Sequence, residues 1–316
     1  MAHDPTSPSV FSLAERVLAG DRRAVARALT LVETDDELAT SIVDHLYPHT
    51  GSAIILGLTG PPGAGKSTLV GALVERFRRS WRTVAVLAVD PSSPVSGGAA
   101  LGDRIRIGER VGDRGLFVRS VAARGHRGGL APGIARMAHV LDAAGFDLIV
   151  LETLGVGQGD IGIVDRSHFV IVVQVPGLGD GIQAMKAGLL EIADLVVVNK
   201  GDLAGAARVV DELRSSFAMG SEPAPAVLKI SATTGDGVDD LVVAIDDHMA
   251  AIIENGSMET RRRRLATTEV LDYLQLEFQR DLASAGQRLT DDPSVIDKVR
   301  SRDLTPLRAA RQVAGR

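Results

Sequence analysis

Gly60-Pro61-Pro62-Gly63-Ala64-Gly65-Lys66-Ser67 is the stretch on which the fold turns. It fits G-x-x-x-x-G-K-[ST], the loop that grips nucleotide phosphates. Its flanks agree: Ile54-Ile55-Leu56-Gly57-Leu58 reads as a buried strand leading in, and Ser67 to Arg79 carries helical periodicity leading out. The glycines let successive backbone N–H groups turn toward one anion at a helix N-terminus, which already favours negative charge. Lys66 brings a cation to the β- and γ-phosphates, and the Ser67 hydroxyl is placed to ligate Mg²⁺. Gly60 through Ser67, with Thr68 after them, are therefore the expected phosphate-binding set.

Working upstream, Val10 to Tyr47 shows helical spacing of Phe11, Leu13, Val17, Val25, Leu29, Ile42 and Leu46, with Asp21 and Asp35 where N-caps belong. Residues 1–50 are expected to form a helical extension packed on the flank of a nucleotide domain spanning 51–256. Within that domain short β-branched runs alternate with helical patterns, the signature of βαβ units. The expected strands are Ala53–Leu58, Thr83–Val89, Leu116–Ser120, Leu148–Glu152, Phe169–Gln174, Leu195–Asn199 and Ala226–Ile230. Runs such as Leu195-Val196-Val197-Val198 are apolar on both faces, as a parallel sheet covered by helices on each side requires. The fold class is α/β, a P-loop NTPase with a mostly parallel sheet.

Ligands of such sheets sit beyond the strands' carboxyl ends, and that is where the polar residues fall. Asp90 ends the second strand and is aimed at the Mg²⁺ position; Asp103 lies in a glycine-bearing loop able to fold over the γ-phosphate. Glu152 tips the fourth strand in the Walker-B manner, holding Mg²⁺ or its water. Gly155, in Gly155-Val156-Gly157-Gln158, suits a switch that senses the γ-phosphate, and Gln158 either orients the attacking water or is an exposed polar residue. Pro176 to Gly181, containing Asp180, is a further glycine-rich loop leading to Lys186, which is a solvated helix residue unless the loop has a signalling role.

Asn199-Lys200-Gly201-Asp202 closes the sixth strand as N-K-x-D. The Asp202 carboxylate can accept from guanine N1–H and the 2-amino group; adenine has neither, and an unpaired buried acceptor costs about 1–3 kcal/mol. Asn199 can reach guanine N7 and neighbouring loops, and the Lys200 stem lies along base and ribose. Ser231-Ala232-Thr233, after the seventh strand, offers backbone N–H groups to guanine O6. The expected cofactors are GTP/GDP and Mg²⁺. Past Asn255-Gly256, a helix stop, residues 257–316 form an expected helical arm. It opens on Arg261 to Arg264, expected as a solvated face, and continues with an apolar stripe suited to a homodimer contact.

Composition narrows the classes. The chain has 316 residues, 45% hydrophobic and 24% charged, with Lys+Arg 35 against Asp+Glu 40 and a net charge of −5. That balance gives no broad footprint for nucleic acid. With no cysteines, disulfides, thiolate metal sites and cysteine nucleophiles are excluded. MAHDPTSPSV lacks the basic and apolar regions of a signal peptide, and no apolar run nears the ~20 residues of a membrane helix, so a cytoplasmic, non-membrane protein is expected.

These motifs together resemble the MeaB/ArgK-type P-loop GTPases, the G-protein chaperones of adenosylcobalamin-dependent acyl-CoA mutases such as methylmalonyl-CoA mutase. The likeness rests on Gly60–Ser67, Val89-Asp90-Pro91-Ser92-Ser93, Gly97-Gly98 to Asp103, Glu152-Thr153-x-Gly155-Val156-Gly157-Gln158, Pro176 to Asp180, and Glu191 to Lys200. The resemblance implies a homodimeric GTPase of slow intrinsic turnover that protects or reactivates its mutase. It implies metal and switch roles for Asp90, Asp103 and Glu152, and a relay role in a third switch loop for Lys186. The chain departs from the family pattern at 123–129 and 177–184. Two other classes share parts of the motif set. A nickel-insertion GTPase needs Cys/His ligands that are missing here, and an ATP-using transport ATPase or kinase is opposed by Asn199-Lys200-x-Asp202.

Overall fold

A computed structural model describes residues 8–34, 36–80, 82–90, 113–122, 133–155, 158–177, 191–218 and 224–315. Its centre is a seven-stranded sheet of order β3-β2-β4-β1-β5-β6-β7. The strands are β1 (Ile54–Thr59), β2 (Val84–Asp90), β3 (Leu116–Ala122), β4 (Leu148–Glu152), β5 (Phe169–Gln174), β6 (Leu195–Val198) and β7 (Ala226–Lys229). Every neighbouring pair is parallel. All seven expected strands are present, β4 and β5 with the expected bounds and the others with ends displaced by at most two residues.

The period of two along each strand separates two cores. Ala85, Leu87 and Val89 of β2, with Ile149 and Leu151 of β4, join one core; Val84, Val86, Leu148 and Val150 join the other. The first core takes in helices α1 (Pro8–Leu18), α2 (Arg22–Thr34), α3 (Asp36–Leu46) and α5 (Gly133–Ala143). The amino-terminal helices thus complete one face of the sheet. The second core takes in α4 (Lys66–Arg79) and α7 (Val238–Glu254) on the opposite face. Helix α6 (Ala206–Ala218) buries Val209, Val210 and Leu213 in the first core. Two caps explain local boundaries. Asp21 Oδ1 accepts from Arg23 N (2.9 Å) and Ala24 N (3.3 Å), starting α2. The Asp142 carboxylate of α5 accepts from Gly51 N (2.6 Å), Ser52 N (3.2 Å) and Ala53 N (2.9 Å), fastening the lead into β1.

Contacts divide the chain into one unit over 1–265 and a second over 266–316. Helix α8 (Ser257–Asp291) starts in the first and continues into the second. Its root corrects an expectation, because the arginine run is bound to the lower edge of the sheet rather than merely solvated. Arg261 pairs with Asp194 (2.6 and 2.8 Å) and donates to His168 O (2.7 Å). Arg262 donates to Gly51 O (3.0 Å) and Arg264 to Val164 O (2.9 Å). These acceptors are mostly backbone carbonyls at strand starts and in the 3-10 helix Gln158–Arg166, so a basic run in the sequence gives no sign of them. In the second unit α8 exposes Val270, Leu271, Leu274, Phe278 and Leu282, and is followed by α9 (Ser294–Arg300) and α10 (Pro306–Val313).

Candidate nucleotide site

β1 lies between β4 and β5, and the loop after it reaches α4 above their carboxyl ends. Glycine is required there. Gly60 has φ 144°, and a Cβ on it would lie 2.2 Å from Val173 O. Gly65, at φ 84°, caps α4, and a Cβ would lie 2.5 Å from the Asn199 side-chain nitrogen. The turn tightens through Ala64 N donating to Pro61 O (3.2 Å), while Pro62 and Gly63 form its outer rim. Ser67 and Thr68 are in the first turn of α4.

Lys66 is only 6% exposed, and its ammonium donates to Gly60 O (2.9 Å), Pro61 O (3.2 Å) and Leu154 O (3.4 Å). A buried cation is tolerable because carbonyl dipoles surround it. Ser67 Oγ donates to Glu152 Oε1 at 2.6 Å, joining the P-loop hydroxyl to the acid at the tip of β4. Glu152 is 6% exposed and stands in register with Leu58 of β1 and Ala88 of β2. Asp90 ends β2 two residues past that register, on the same edge; its side chain is outside the described residues. Gly155, at φ 80°, rests on the P-loop so closely that a Cβ would lie 2.1 Å from Gly60 O and 2.6 Å from Lys66 Nζ.

The N-K-x-D segment meets the same loop. Asn199 is 2% exposed; its Nδ2 donates to Ala64 O (2.8 Å) and its Oδ1 accepts from Ala232 N (3.0 Å). One amide therefore joins the phosphate loop to the Ser231-Ala232-Thr233 loop. This orients both loops and commits Asn199 to the protein at each end. Lys200 is one of two non-glycine residues with positive φ (57°) among those described, a turn that Gly201 closes by donating to Ile230 O (2.7 Å). A hydrogen bond from the Ser231 hydroxyl, then one from its own backbone N–H, hold Asp202 below the usual carboxylate range, aided by the Lys200 charge. Asp202 and Thr233 are exposed, while Ser231 is buried.

Of the residues selected from sequence, Gly60 to Thr68, Glu152, Gly155, Asn199 to Asp202 and Ser231 to Thr233 meet at this edge. Gln158 starts the 3-10 helix, with its side chain outside the described residues. Asp103, Asp180 and Lys186 lie outside the described residues altogether. Among the described residues no group of three or more His, Asp or Glu could hold a metal. Ser67 Oγ and Glu152 Oε1 are nonetheless hard oxygen donors in contact, which suits Mg²⁺, a cation bound through one or two carboxylates, phosphates and water. A buried pair that sequence reading missed is Thr153 Oγ1 donating to Thr59 Oγ1 (3.0 Å).

A P-loop on the central strand of a parallel sheet, stapled to an N-K-x-D turn, defines a nucleotide-binding protein of the guanine-reading kind. Comparison with known proteins then fixes the group. The family model described as "Methylmalonyl Co-A mutase-associated GTPase MeaB" matches residues 25–286, and the chain belongs to that family; it is a GTPase. It is 42% identical over 307 residues to a putative GTPase of Pyrococcus horikoshii, covering 95% of this chain and 96% of that one. It is 38% identical over 255 residues to a fused isobutyryl-CoA mutase of Nocardia farcinica, covering 76% of this chain and 23% of that protein. A crystal structure titled LAO/AO transport system kinase matches with a TM-score of 0.70 at 26% identity over 98% of both chains. No helix among the described residues is long and apolar enough to cross a membrane.

Proposed function

We propose that this GTPase is a nucleotide-driven chaperone of an adenosylcobalamin-dependent acyl-CoA mutase, assisting, protecting or reactivating it. The observation that carries this reading is the Nocardia relative, in which a segment similar to 76% of this chain is built into an isobutyryl-CoA mutase polypeptide. The family description also names a mutase.

In this reading Lys66 exchanges its carbonyl partners for β- and γ-phosphate oxygens, and the P-loop N–H groups take the remaining charge. Asp202 accepts from the guanine edge, Ser231 holds that carboxylate, and the Ala232 and Thr233 backbone borders O6. Ser67 and Glu152, with Asp90 at the end of β2 and Asp103, would hold Mg²⁺, which would supply charge neutralisation on the phosphates. Glu152 or Asp90 orients the attacking water, with Gln158 as a second candidate. Gly155 senses the γ-phosphate, and Asp180 and Lys186 carry the nucleotide state to the partner. The arm over 257–316 makes a homodimer through Val270, Leu274 and Phe278, which share one helix face.

The test is hydrolysis of GTP with and without purified isobutyryl-CoA and methylmalonyl-CoA mutases, alongside co-elution of the two proteins. Stimulated turnover and nucleotide-dependent co-elution with one mutase are expected. Unchanged turnover and no complex with either in any nucleotide state would refute the role. Competition by ATP against bound GDP separates the ATP-using alternative.

A further inference from the structure

The P-loop and the glycine segment after β4 follow two adjacent strands, and one side-chain contact joins the chain ends where those strands stop. Thr59 is the last residue of β1 and Thr153 the first after β4. The main-chain ladder between them takes its final step at Thr153 N donating to Leu58 O (3.1 Å). At that step the Thr153 hydroxyl also donates to the Thr59 hydroxyl at 3.0 Å. Both side chains are buried, Thr59 at 0% and Thr153 at 5% exposure. A polar pair with no access to water has one well-defined geometry, since parting it leaves two hydroxyls without partners.

The next residues on each side meet at the Lys66 ammonium. Gly60 follows Thr59, and its carbonyl accepts from Lys66 Nζ (2.9 Å). Leu154 follows Thr153, and its carbonyl accepts from the same ammonium (3.4 Å). Gly155 comes next, resting against Gly60 O. We propose that the Thr59–Thr153 hydroxyl pair is a positioning device for GTP hydrolysis: it sets the height of Leu154 and Gly155 over Lys66, and so the site's fit to the transferring phosphoryl group rather than its grip on nucleotide. The nucleotide is gripped mainly by P-loop N–H groups and the guanine turn, which do not hang on this contact. The transition state requires the Gly155 segment in place as charge develops on the γ-phosphate, where small misplacements are costly.

The experiment uses the full-length protein with Thr153→Val, Thr59→Val, the double variant and Thr153→Ser. Valine keeps the β-branched shape that suits a strand and puts a methyl group where the hydroxyl was. Steady-state GTP turnover and binding of a fluorescent GDP analogue are measured for each. In either valine variant kcat should fall about tenfold while KM for GTP and affinity for GDP stay within about twofold, the mark of an interaction used in the transition state. The double variant should be no worse than the singles, because both remove one contact, and Thr153→Ser should keep near-normal turnover. Wild-type kcat in Thr59→Val and Thr153→Val would overturn the proposal, as would equal losses of GDP affinity and turnover, which would make the pair structural only. If Thr153→Val does not fold, Thr59→Val and Thr153→Ser decide alone. The proposal rests on the P-loop as the hydrolytic site; Lys66→Ala tests that separately, and hydrolysis persisting there would fault the site and not the threonine pair.

Discussion

Replacing Arg261 with methionine tests how firmly the root of α8 is tied to the sheet. Asp194 is 13% exposed, and burial alone would raise its pKa. The His248 ring nitrogen 3.5 Å away, the hydrogen bonds and charge of Arg261, and the Val170 N–H outweigh that and hold it at about 2, below its ordinary 3.8. A depression of that size is worth about 2 kcal/mol, at roughly 1.4 kcal/mol for each pH unit. Arg261 supplies only part of it, but removing it also takes the paired cation from a buried carboxylate and a donor from the His168 carbonyl. Breaking a buried pair from one side costs about 3–5 kcal/mol. The expected loss is therefore about 3 kcal/mol at pH 7, read from the urea midpoint of the GDP-bound protein. The sign of the pH effect follows. In the wild type the lowered pKa gives stability that is present above pH 3.8 and lost as pH falls through 2. In Arg261→Met, burial pushes the carboxyl up, so its ionised form is the penalised one at neutral pH. The gap between variant and wild type should narrow from pH 7 toward pH 4. A loss under about 1 kcal/mol, or a gap that stays constant with pH, would refute the reasoning.

Burial, with the nearby Arg262, Arg261 and Arg264 charges, holds His168 at about 4, so folded protein resists its protonation; stability should be complete above pH 6.5 and fall by up to about 1.4 kcal/mol per pH unit toward pH 4, with a flatter profile in His168→Gln. Asp202→Asn should shift preference from guanosine to xanthosine triphosphate in competition binding, and unchanged GTP affinity would remove its base-reading role. Gly155→Ala should cost at least tenfold in turnover, because the added Cβ would sit 2.1 Å from Gly60 O in a backbone region that alanine disfavours. Leu274→Asp with Phe278→Asp should give a monomer in sedimentation if their exposed helix face joins two copies, and an unchanged mass would place the contact elsewhere.

The central strands were readable because they are buried on both faces, so burial wrote itself as apolar runs; every residue of β4, β5 and β6 is buried. The P-loop and the N-K-x-D turn were readable because their chemistry needs fixed residue types at fixed spacing. The anchoring of Arg261, Arg262 and Arg264 was not, since the groups they bind at Gly51, Val164 and His168 are carbonyls that every residue possesses. Asn199 was expected to reach guanine N7 and its neighbouring loops, and its bonds to Ala64 and Ala232 give the partners in those loops that type and position alone leave unnamed. The threonine pair escaped notice because its two hydroxyls are 94 positions apart, at the ends of different strands, and the Glu152-Thr153-x-Gly155 motif marks no partner for Thr153.

The Asn199 amide has a consequence for how specificity can change. Because it is hydrogen-bonded to Ala64 O on one side and Ala232 N on the other, the base turn and the phosphate cradle cannot drift independently. A nucleotide is then gauged along its whole length against a single rigid joint, and substitutions that reshape the base pocket should register in phosphate affinity as well. A lineage of this architecture could exchange one purine for another by editing Asp202, but it could not readily adopt a ligand of different span without giving up the joint itself.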